Sequence, residues 1–135
     1  MKLLITAISL LILSLGFAYA NDSSIEEKIN KFKSQTLKLT PGMSEGDVLN
    51  LFGQPEITVN AEDDINVSEM KAIKGLVYWH PAFATIHLLI GITNGIVVDA
   101  KMCRDVGSRI HKTECESLES YWNNDITPAS TPTRN

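Results

Sequence analysis

The sequence predicts an α+β domain in which two N-terminal helices pack on one face of a three-stranded antiparallel sheet, in the order ααβββ, followed by a disulfide-closed C-terminal extension. Three observations predict it. Two stretches with helical apolar spacing come first, strand-forming residues then gather around Leu76–Trp79 and on both sides of Asn94-Gly95, and the chain's two cysteines lie at and beyond the last strand.

The chain opens with Met1-Lys2, an apolar run from Leu3 to Phe17, and the small-x-small triplet Ala18-Tyr19-Ala20. That three-part pattern is a secretory signal over residues 1–20, and the apolar run is shorter than the ~20 residues a helix needs to span a bilayer. No cysteine follows the run closely, so the sequence predicts an exported protein, periplasmic or secreted, without a lipid anchor. Residues 21–122 then form one domain, and residues 123–135, rich in Thr and Pro, are predicted to be a disordered tail.

Ser23 and Ser24 stand three residues before Glu26 and Glu27, as in a capping box, and Ile25, Ile29 and Phe32 then share one face of a first helix. Thr40-Pro41-Gly42 breaks that pattern. Ser44 caps a second helix with Asp47 in its first turn, Val48, Leu49, Leu51 and Phe52 form its apolar side, and Gly53 and Pro55 end it. Ile57 and Val59 suggest a short extended piece, whereas Asn60–Ser68, with Glu62, Asp63 and Asp64, reads as an exposed loop.

Leu76, Val77, Tyr78 and Trp79 have strand character, stopped by Pro81. For the strands on either side of Asn94-Gly95, a two-residue loop in continuous register sets apolar residues against Asp99 and Lys101. A three-residue loop of Thr93, Asn94 and Gly95 instead pairs Ile92 with Ile96, Ile90 with Val98, Leu88 with Ala100 and Ile86 with Met102, all apolar on one face, and is the predicted register. Beyond Cys103 the sequence predicts a short helix on which Cys115, Leu118 and Tyr121 or Trp122 share a side.

The net charge of −4 and the lack of clustered Lys and Arg argue against phosphate binding, so nucleic acid is not an expected partner. Gly42-Met43-Ser44-Glu45-Gly46 matches a serine nucleophile elbow in letters, but a helix rather than a strand precedes Ser44, which is better read as a cap. His80, His87 and His111 lack the spacing of a helical zinc site, and Asp63-Asp64 lacks the alternation of a calcium loop. Cys103 and Cys115 point to a disulfide, a constraint worth roughly 3 kcal/mol in the chain-entropy model; a metal shared with His111 is the competing reading. No cofactor is implied. Tyr78, Trp79, His80 and Phe83 concentrate aromatic surface around Pro81 and are the candidate interaction surface.

Residues 39–55 resemble the start of the SmpA/OmlA family, the BamE component of the outer-membrane protein assembly machinery, through Gly42, Met43, Ser44, Val48, Leu51, Gly53 and Pro55. The resemblance spans roughly residues 37–103, and the same two-helix unit occurs in proteins similar to the beta-lactamase inhibitory protein. It implies a non-catalytic periplasmic interaction module with a protein partner in the envelope, an accessory to outer-membrane assembly. The alternative is a secreted or periplasmic inhibitor of another enzyme. A small hydrolase using Ser44, or a metal enzyme using His80 or His87, is the third class considered.

Overall fold

The computed structural model describes residues 24–106 and 113–125. The predicted leader, Ser23, His111 and tail residues 126–135 lie outside them. The elements are α1 (residues 24–37), α2 (Glu45–Phe52), β1 (Ile57–Asn60), α3 (Ile65–Glu69), β2 (Lys74–Trp79), β3 (Ile86–Thr93), β4 (Ile96–Asp105), β5 (Thr113–Ser117) and α4 (Leu118–Asp125). Among these residues no helix is long and apolar enough to cross a membrane.

The fold is α+β, but the ααβββ order with three strands is overturned. Five antiparallel strands form one sheet in the order β1-β2-β3-β4-β5. The extra strands are the two edges. Ile57 pairs with Val77 and makes the extended piece a full β1, while Thr113–Ser117, expected to start a helix, lies along β4 with Cys115 opposite Cys103. Short edge strands of this kind bury few residues, so their alternation is faint in sequence. Asn123–Asp125, expected in the tail, continue α4.

The hairpin register also differs from the expected one. Thr93 pairs with Ile96, leaving a two-residue turn in which Asn94 (φ 52°) and Gly95 (φ 74°) are both left-handed. Ile92 then pairs with Val97, but Gly91 pairs with Asp99, so Val98 is an inserted bulge residue. The bulge shifts the register by one, so that Ile90 meets Ala100 and Leu88 meets Met102 on the core face, while Lys101 falls opposite Leu89 and Arg104 opposite Ile86. Ile96 and Val98, expected in the core, are exposed, and Val97 is buried.

One face of the sheet carries Leu76, Tyr78, Leu88, Ile90, Ile92, Val97 and Met102 and is covered by Phe32 of α1, Val48 of α2 and Tyr121 and Trp122 of α4. Thr36 ties two of these helices together: its hydroxyl, buried, donates to Lys33 C=O at 2.8 Å and accepts from the Trp122 indole Nε1–H at 2.8 Å. Phe32 meets the same indole edge-on.

The opposite face is covered at one end by a second, smaller cluster of Val67, Met70 and Ala72 on Val77, Leu89 and Cys103. The segment predicted as an exposed acidic loop therefore contains a helix. Asp64 caps it, its Oδ1 accepting from Asn66 N–H at 2.8 Å and Val67 N–H at 3.3 Å. Such a short helix has no independent stability, and a pair of glycines lets it sit close. Gly75 and Gly91 are register partners, and a Cβ on Gly75 would lie 2.7 Å from both Leu89 Cδ1 and Val67 Cγ2, while one on Gly91 would lie 2.9 Å from Ala72 Cβ.

Two outcomes test this packing. Gly75→Ala should lower unfolding free energy by about 1–3 kcal/mol through overpacking, despite alanine's lower backbone entropy cost; a neutral or stabilising result in denaturant titration would contradict the close approach. Thr36→Val, which leaves the buried indole N–H without its acceptor, should cost about 1–3 kcal/mol by the same measurement. Loss of nothing there would remove the α1–α4 tie.

Candidate functional site

The Gly42-to-Pro55 segment serves the fold. Gly42 has φ 93°, its N–H donates to Val97 C=O at 2.8 Å, Val97 N–H returns to Met43 C=O at 2.8 Å, and Glu45 N–H donates to Gly95 C=O at 2.8 Å. The turn thus grips the tip of the β3–β4 hairpin. Ser44 is a helix cap, its Oγ accepting from Asp47 N–H at 3.1 Å. Val48 is fully buried, Leu51 is half-buried with its C=O accepting from the Gln35 amide at 2.6 Å, and Gly53 closes α2 with its N–H on Leu49 C=O. Pro55, half-buried, leads into β1.

Alternation along β2 separates Trp79 from Tyr78, while His80 and Phe83 follow the strand. Tyr78 is 4% exposed in the main core, donates its hydroxyl to Gly53 C=O at 2.9 Å and packs against Phe52. Burial, with Glu56 and Glu45 nearby, pushes its pKa up to about 12. His80 is buried on the same side against Phe32 and Tyr121, and its Nδ1 accepts from the Ala82 and Phe83 N–H groups at 3.0 and 3.2 Å. It organises the Pro81 turn. Phe83, 49% exposed, lies on the His80 ring at 4.9 Å between centroids.

Trp79 points to the other face. It is 43% exposed at the end that α3 leaves uncovered, and it meets His87, its register partner on β3, edge-to-face with centroids 6.0 Å apart. His87 in turn pairs with Cys103, which pairs with Cys115. One cross-strand row therefore reads Trp79, His87, Cys103, Cys115. The two cysteines form the expected disulfide, with Cα atoms 4.0 Å apart.

His87 belongs to this surface and was not among the aromatic candidates; its position opposite Trp79 follows only once the β2–β3 register is known. Burial lowers its pKa below the ordinary 6.5, while Asp105 and Asp64 act in the opposite direction. Ile57, 45% exposed on β1, pairs with Val77 and so lies on the same face, one row in from Trp79. Glu56 borders it, its Oε2 accepting from Trp79 N–H at 3.3 Å. The row thus presents an exposed indole and a half-buried imidazole, with an exposed isoleucine on the neighbouring strand. No protein-family model, curated protein or solved structure matches the chain.

The lowered His87 pKa has a sign. Between the lowered value and 6.5 the unfolded chain binds a proton that the native domain excludes, so this contribution is complete above 6.5 and is lost as pH falls through that window. Stability measured by denaturant midpoint from about pH 7.5 to about pH 5 should fall more steeply in the wild type than in His87→Gln. Parallel pH profiles would contradict the assignment.

Proposed function

We propose that the domain is a non-catalytic protein-interaction module of the bacterial cell envelope, an accessory to outer-membrane protein assembly, and that it contacts its partner through the surface around Trp79. The observation that carries this is the half-exposed Trp79 ring held edge-on by His87 beside exposed Ile57, on a part of the sheet no element covers among the described residues. Large amphipathic rings fixed in place lose little entropy on binding and dominate interface energies. Two features support the compartment: the secretory pattern of residues 1–20, and a disulfide of a kind that persists in oxidising surroundings. The SmpA/OmlA-like segment from Leu39 to Pro55 supports the assembly role.

A photoreactive amino acid in place of Trp79, activated in intact cells, tests the reading. The expected product is an adduct whose partner, identified by mass spectrometry, is a component of outer-membrane protein assembly, absent when the reactive group replaces exposed Glu27 on α1. Equal labelling from both positions, or no adduct from Trp79, would contradict the surface. A hydrolase as the sole partner would replace the assembly role by the inhibitor alternative.

A further inference from the structure

Resting on the interaction reading above, we propose that the uncovered end of the second face docks a basic segment of its protein partner, with a Lys or Arg side chain laid over the Trp79 ring. The argument is charge complementarity around an exposed apolar centre. Glu56 is hydrogen-bonded to the Trp79 backbone at one side. On the other, Asp105 follows Cys103 by two residues, on the same face, and Asp64 caps α3 beside it; both carboxylates act electrostatically on His87. Lys101 lies one row further in, opposite Leu89, and Arg104 pairs with Ile86 on the other face. The patch is thus an indole and an isoleucine bordered by three carboxylates. An acidic partner surface would meet like charge here, whereas a cation gains both the ring's quadrupole and the carboxylates.

The test uses the oxidised domain and dye-labelled peptides of alternating Arg and Leu, with Gln or Glu replacing Arg in two analogues, followed by fluorescence anisotropy. The Arg peptide should bind at least about tenfold more tightly than the Glu peptide and lose affinity as salt rises. Trp79→Ala should weaken it by about threefold or more, and Asp105→Asn and Asp64→Asn, the latter retaining the helix cap, should each weaken it and flatten the salt dependence. Glu27→Gln, an exposed acid on α1, should leave binding unchanged. Equal binding of the Glu peptide, wild-type affinity in Trp79→Ala, or an equal loss in Glu27→Gln would overturn the proposal, the last by showing attraction to net charge alone. A partner captured at Trp79 through a neutral or acidic segment would overturn the basic docking and leave the interaction module standing.

Discussion

A two-residue turn at Asn94-Gly95 suits the twist of the strands it joins, but carried on in continuous register it would put Asp99 against Ile90, Lys101 against Leu88 and Cys103 against Ile86. The inserted Val98 removes that conflict, because one extra residue on β4 turns every side chain after it to the opposite face. Ala100 and Met102 enter the main core, and Cys103 turns toward the second face beside His87. What lies beyond follows from this. The disulfide sets Cys115 opposite Cys103, β5 lies along β4, and α4 is delivered to the position where Trp122 reaches Thr36. The same hairpin tip accepts the hydrogen bonds of Gly42 and Glu45, so the turn that starts α2 is built on it too.

The second face is divided by a different constraint. Gly75 opposite Gly91 leaves a floor without side chains, and Val67, Met70 and Ala72 descend into it. A five-residue helix covers only that end of the face. Beyond it the alternation of β2 still sends Trp79 outward, so an indole that a longer helix would bury stays 43% exposed. The functional reading therefore depends on how short α3 is. The proposed partner chemistry depends on which carboxylates border the gap.

Much of the first face was legible in the residues. The caps at Ser44 and Gly53, Phe32 and Val48 as buried residues of the first two helices, the strand at Leu76–Trp79 and the Cys103–Cys115 bridge all rest on local chemistry and appear where the sequence places them, whereas Ile25, expected on the apolar face of α1, is 52% exposed. The bulge was not, because the apolar alternation of β3 and β4 also fits a three-residue loop in continuous register. The third helix was hidden by Glu62, Asp63 and Asp64: five helical residues are too few for a period, and its apolar contacts fall partly after it, at Met70 and Ala72. Tyr78, Trp79, His80 and Phe83 were legible as an aromatic group but not as a divided one, since neighbours along a strand face opposite ways. Only Trp79 among the β2 aromatics faces outward, and the residue that fixes its ring, His87, comes from the next strand.

Cross-strand proton NOEs along β3 and β4 test the bulged hairpin most directly. The account predicts contacts that pair Thr93 with Ile96, Ile90 with Ala100 and Leu88 with Met102, with Val98 unpaired. Contacts pairing Ile92 with Ile96, Ile90 with Val98 and Leu88 with Ala100 would instead show a three-residue loop in continuous register. That result would set His87 opposite Lys101 rather than Cys103, and would contradict the cross-strand row of Trp79, His87, Cys103 and Cys115 on which the described surface rests.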